Sequence, residues 1–122
     1  MPPLRLVVPS DSAFAAVHAN GSVIAWGDPQ HGGNCDSVKE ALSRNVQHIY
    51  CTEYAFAAVK TDGSVITWGL PHAGGDSEAV KEALNDGVLH IYSTESAFAA
   101  VKTDGSVVTI TLRTVTFKGK GA

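Results

Sequence analysis

Short apolar bursts alternate with polar turns along this chain, and the bursts return at a fixed interval. Aligned on the tetrad Ala-Phe-Ala-Ala, copies begin at Ala13, Ala55 and Ala97, a period of 42 residues with no gap between copies. A period in that range makes the repeat the unit of fold. Within the two full copies the "VKEAL" of residues 38–42 and 80–84 is unchanged. The opening "LRLVVPSDS" of residues 4–12 matches the "HIYSTES" that ends a full unit, so it reads as the missing part of the last one. The expected organisation is one repeat domain over 1–122, with units at about 13–54, 55–96, and 97–117 completed by 4–12.

Inside each unit the pattern predicts three strands and one short helix. Residues 46–52, "VQHIYCT", and 88–94, "VLHIYST", alternate β-branched and aromatic residues with polar ones, as half-buried strands do. "AFAAVK" and "SVITWG" are joined by "TDG", where Gly63 takes the left-handed conformation that closes a three-residue hairpin loop with a bulge. Asn20-Gly21 and Asp104-Gly105 repeat that turn, so three hairpins are expected. Pro29 and Pro71, each followed by a glycine pair, then force a loop. Beyond it, Asn34 or Cys35, and likewise Asp76 or Ser77, start a short helix with Asp36 or Glu78 in its first turn. Val38, Ala41 and Leu42, like Val80, Ala83 and Leu84, form one apolar stripe on it, and Asn45 or Gly87 ends it.

The third copy departs after Val108. It continues "TITLRTVTF", a β-rich run with no breaker before Gly119, which predicts one long final strand in place of loop and helix. Residues 4–8 are then expected to pair near this C-terminal strand and close the ring of units.

Charge narrows the function. The net charge is −3 and 17% of residues are charged, so no basic field exists to attract a phosphate backbone, and nucleic acid is not an expected partner. Arg113, Lys118 and Lys120 read as a solvated end. No apolar run reaches 18 residues and no charged-then-apolar leader opens the chain, so neither a transmembrane segment nor a secretory signal is expected. Cys35 and Cys51 occupy different repeat positions, where the next copy has Ser77 and Ser93, so two free thiols in an intracellular, reducing compartment are expected.

The candidate chemistry is thin. His48 and His90 are repeat equivalents on strands, His31 and His72 lie in the Pro-Gly loops, and none shows zinc-ligand spacing, so no metal is expected. Asn20, Asp62 and Asp104 share one turn position, where a short polar side chain stabilises the loop. The Gly-Gly loops precede helix starts but lack the lysine and spacing of a phosphate cradle. No catalytic residue or cofactor is therefore expected. Gly21, Gly63, Gly105, Trp26 and Trp68 are structural repeat positions, and Tyr50, Tyr92, Ile110 and Leu112 are the candidates to face a partner.

"AFAAVKTDGSVITWG", preceded by a short β stretch, resembles the RCC1-like repeat, the blade unit of the regulator of chromosome condensation propellers. "WGDPQHGGNCDSV" and "WGLPHAGGDSEAV" are similar to a "WGDPxxGGDS" variant of it with a short helix per repeat. The resemblance covers residues 4–109. It implies a mainly β fold of about three units, arranged either as propeller blades or as a compact pseudo-threefold body. Since about four to eight blades close a propeller, either the three units pack about their own pseudo-threefold axis or copies associate to complete a ring. RCC1-like proteins include a guanine-nucleotide exchange factor, chromatin-binding proteins and parts of ubiquitin ligases. The expected function is a non-catalytic protein-interaction module, an accessory or scaffold subunit of a larger assembly or a homo-oligomer, with a regulatory exchange or ubiquitin-adaptor domain as the alternative.

Overall fold

Each Ala-Phe-Ala-Ala tetrad lies at the start of the middle strand of an antiparallel sheet in the computed structural model, which describes residues 2–111 and the backbone of 116–117. The first sheet holds β1 (Leu4–Pro9), β2 (Ala13–His18) and β3 (Val23–Gly27). The second holds β4 (Val46–Cys51), β5 (Ala55–Lys60) and β6 (Val65–Gly69). The third holds β7 (Val88–Ser93), β8 (Phe98–Lys102), β9 (Val107–Ile110) and a two-residue β10 (Thr116–Phe117). The protein is thus mainly β, with three repeated sheets.

The hairpin turns follow from their sequence. At the second turn Gly63 N donates to Lys60 O at 2.9 Å and Lys60 N to Ser64 O at 2.9 Å, the three-residue loop with a bulge. Asp62 Oδ1 accepts from Ser64 N and from Ser64 Oγ, and these bonds hold the carboxyl below its usual range. Asn20 and Asp104 make the same contacts with Ser22 and Ser106.

Packing is sheet on sheet in chain order. One face of the second sheet, with Phe56, Ala58, Trp68 and Ile49, joins Ala13, Ala15 and Val17 of the first in one buried cluster. Its other face, with Ala55, Ala57, Val59 and Val65, joins Phe98, Ala100, Val108 and Ile110 of the third. The first and third sheets therefore lie on opposite sides of the second, a blade-like succession rather than a body closed about a threefold axis. Cross-ties reinforce it: Lys60 Nζ donates to Ala41 O and Lys102 Nζ to Ala83 O, both at 2.6 Å, from one unit to the connection before it.

Three expectations are corrected here. β1 pairs with β2, through Val7 opposite Ala16 and Val8 opposite Ala15, and not with the C-terminal strand. The turn between β1 and β2 is the one used in every unit, with Ser10, Thr52 and Thr94 donating to Ala13, Ala55 and Ala97, and a loop this short closes at less entropic cost than a chain-long one. The hydrogen-bonded unit is thus the strand before the tetrad plus the hairpin after it.

The expected helix is instead a pair of single 3-10 turns, Pro29–His31 with Asp36–Val38, and Pro71–Ala73 with Glu78–Val80. A stretch this short cannot offset helix nucleation, and Leu42 and Leu84 turn their carbonyls to Val23 N and Val65 N in the hairpins. The apolar stripe survives, since Leu42 and Leu84 are buried.

The long final strand is broken. β9 ends at Ile110, and β10 runs back beside it with Thr116 opposite Val108 and Phe117 opposite Val107. Folding back satisfies hydrogen-bonding groups that a single extended strand would leave on an open edge.

Candidate functional site

The repeat makes every position a comparison, and it isolates one place where equivalent residues meet different surroundings. In the second sheet Phe56 and Trp68 stack with centroids 5.4 Å apart, and Trp68 Nε1 donates to Gly32 O at 3.1 Å in the loop of the preceding unit. Small residues of the first sheet, Ala13, Ala15 and Val17, form the platform beneath them. In the third sheet Phe98 and Ile110 occupy the same positions on the platform of Ala55, Ala57 and Val59. Large aromatic or branched side chains on one sheet face small ones on the next, which is how blades interdigitate.

The first sheet has the same large pair and, among the described residues, no platform in front of it. Phe14 and Trp26 stack at 5.4 Å with 14° between planes. Each is 41% exposed, where Phe56 is 0% and Trp68 2%. Val7, 47% exposed, stands where Ile49 and Ile91 are 1%. Leu4 and Ile24 extend the same exposed apolar face. At the other end, the third sheet's platform of Ala97, Ala99, Val101 and Thr109 is only half-buried. The equivalent residues of the first two sheets are buried at Ala13, Ala15, Val17, Ala55, Ala57 and Val59.

The first strands of the sheets carry a second row. His48, Tyr50, His90 and Tyr92 alternate with ring centroids 4.6, 5.1 and 4.6 Å apart, and Tyr50 Oη lies 3.1 Å from His90 Nδ1. Burial, then the charges of Arg5 and His90, lowers the His48 pKa, and burial raises that of Tyr50. Arg5 spans two sheets, its Nη2 donating to Val46 O and Gln47 O. Beyond this row lie the repeated acids Asp11, Glu53 and Glu95, joined along the backbone by Asp11 N to Glu53 O and Glu53 N to Glu95 O, both 3.0 Å. Desolvation and then the carboxylates of Glu95 and Asp11 raise the Glu53 pKa.

Among the described residues, no group of three His, Cys, Asp or Glu is gathered as metal ligands would be. Cys35 and Cys51 are free thiols, and burial raises both pKa values.

The partner-facing candidates part company. Tyr92 is 63% exposed, while Tyr50 is half-buried between the second and third sheets. Ile110 does not face a partner: it is wholly buried, filling the space that Trp68 fills one unit earlier. Leu112 lies outside the described residues. Phe14, Ile24 and Val7 were not singled out by sequence; the equivalents of Phe14 and Val7 are core, and Ile66, that of Ile24, is half-buried against it.

No protein-family profile and no curated protein matches this chain. Solved structures do. Prp20p from Saccharomyces cerevisiae is 20% identical over 87% of this chain and 30% of its own, with a TM-score of 0.59. Human WBSCR16 is 17% identical over 93% of this chain and 39% of its own, with a TM-score of 0.62. The ectodomain of the Physcomitrella patens receptor kinase CR4 is 13% identical over 94% of this chain and 31% of its own, with a TM-score of 0.60. This chain thus spans three to four tenths of the length of those it matches. Prp20p is the yeast RCC1, and the likeness is one of architecture: the three sheets of this chain have an RCC1-like fold.

Proposed function

We propose that the chain is a non-catalytic protein-interaction module, an accessory or scaffold subunit of a larger assembly. The observation that carries this is the Phe14–Trp26 face, whose repeat equivalents are core and which here meets solvent. An exposed apolar face with stacked aromatics at its centre is the composition of a protein interface rather than of a solvated surface. The resemblance of "WGDPQHGGNCDSV" to the "WGDPxxGGDS" variant is part of this reading, supported by the loop in which Gly32 O accepts from Trp68 Nε1. The free, half-buried thiols support an intracellular, reducing compartment.

Quantitative affinity capture with wild-type chain and with Phe14→Ser/Trp26→Ser tests the reading. Proteins retained by the wild type and lost by the double variant are the expected result. Identical sets from both would overturn it.

The likeness to Prp20p favours a second reading, a regulatory domain acting on a guanine-nucleotide-binding protein or as a ubiquitin-pathway adaptor. Prp20p was itself solved in connection with its binding to Gsp1p and histones, and yeast RCC1 with Kap60 bound. The same capture separates the two readings, since this one requires a small GTPase or a ubiquitin-pathway protein among the retained set.

A further inference from the structure

We infer that the occupant of the Phe14–Trp26 face is the third sheet of a second copy of this chain, so that two copies associate head to tail. The inference rests on the interaction-module reading and names its partner. The chain carries both halves of the contact. The chain twice builds an interface in which the large residues of one sheet sit on the small-residue platform of the sheet before it, Phe56 and Trp68 on the first sheet and Phe98 and Ile110 on the second. At its two ends one copy of each half is less covered than its repeat equivalents: the large pair Phe14 and Trp26 is exposed, and the platform of Ala97, Ala99, Val101 and Thr109 is half-buried.

The residue types match position by position. Ala97, Ala99 and Val101 repeat the Ala-x-Ala-x-Val of Ala13, Ala15 and Val17 and of Ala55, Ala57 and Val59. Thr109 repeats Thr67. The rim does not repeat: the position of His90, which lies 3.1 Å from Tyr50 Oη, is Leu6 in the first sheet, an apolar residue packed against the cluster between the first two sheets.

A contact between unlike faces is heterologous, so it closes into a ring or runs on as a filament. Two copies supply six sheets, inside the range of about four to eight blades at which propellers close. Three would supply nine. For these 122 residues taken alone, a closed dimer uses each face once.

Light scattering after size exclusion, on the purified chain alone, reads the outcome. A mass twice the 12.7 kDa of the chain at micromolar concentration is expected. Trp26→Glu removes the large half, Ala99→Glu places a charge on the platform, and Tyr92→Glu places one beside it, opposite Ala99 across β7 and β8. Each variant alone should be monomeric or weakened at least about thirtyfold, the effect of losing an interface hot spot. Trp26 and Tyr92 are exposed, and the near-UV signal of the buried Trp68 reports whether each variant is folded.

Mixing decides the geometry. Trp26→Glu keeps an intact platform and Ala99→Glu an intact aromatic face, so the two monomers should recombine as a one-to-one pair through a single contact. A monomeric wild type overturns the inference, as does an Ala99→Glu chain that still dimerises as tightly as the wild type, which would mean that like faces meet. A monomeric wild type whose captured proteins still depend on Trp26 would sink the self-association and leave the interaction reading standing.

Discussion

Trp68→Ala lowers the unfolding free energy by about 3–5 kcal/mol, the range for removing a large aromatic from a core, while the same change at its repeat partner Trp26 lowers it by about 1 kcal/mol, the worth of an exposed aromatic pair. The difference is wholly one of surroundings. Trp68 is buried between two sheets and donates to Gly32 O, so its loss leaves a cavity and an orphaned carbonyl. Trp26 loses little beyond its stacking on Phe14. Urea unfolding at concentrations low enough to hold the chain monomeric measures both, because association would stabilise the folded form by mass action and blur the comparison. Equal losses at the two positions would mean that the first sheet's face is covered within the chain.

Gly63→Ala is expected to be far more damaging than Gly105→Ala, although both glycines close the same hairpin. Their φ angles are +82° and +87°, so each alanine pays the left-handed penalty of about 1–2 kcal/mol. What differs is the neighbour. A Cβ on Gly63 would lie 2.7 Å from the backbone nitrogen of Gly87, where the chain enters the next unit and Val88 N donates to Gly63 O. A Cβ on Gly105 meets nothing within 4 Å. Moving that backbone adds about 1–3 kcal/mol at Gly63, as overpacking does elsewhere. Gly21, where an added Cβ would lie 2.8 Å from Asn45 N, should behave as Gly63 does. Thermal unfolding of the three alanine variants would show two large losses and one small one, and three equal losses would contradict the sheet-to-sheet contact.

These pairs show where the sequence was legible. The hairpins were, because a turn such as Thr61-Asp62-Gly63 is settled by the conformational freedom of one glycine and the side chain of one aspartate, both local. The three-unit β architecture was legible for the same reason, being local pattern written three times. The connections were less so. The stripe of Val38, Ala41 and Leu42 has helical spacing, but the hairpin donors Val23 N and Val65 N compete for the carbonyls that a helix would use, and that competition is tertiary.

The candidate site was hidden by the repeat itself. Trp26 and Trp68 are the same letter at the same position, and only the succession of sheets makes one a core residue and the other a surface. Ile110 misled in the opposite direction. Its place in the divergent copy drew attention to it, yet it fills the aromatic position of the core and is wholly buried. Tyr92 differs from Tyr50 on the same ground, since Tyr50 has the third sheet beside it and Tyr92, among the described residues, has no further sheet.

Two unlike end faces follow from one structural claim, that each sheet is complete in itself and β1 belongs to the first. Interstrand nuclear Overhauser contacts test it most directly. The account predicts cross-strand contacts between Val7 and Ala16 and between Val8 and Ala15, the facing pairs of β1 and β2, alongside those between Phe14 and Trp26. Contacts from residues 4–8 to β9 or β10 within one chain, in place of those to β2, would contradict it, because the first and third sheets would then close on each other and neither face would be free.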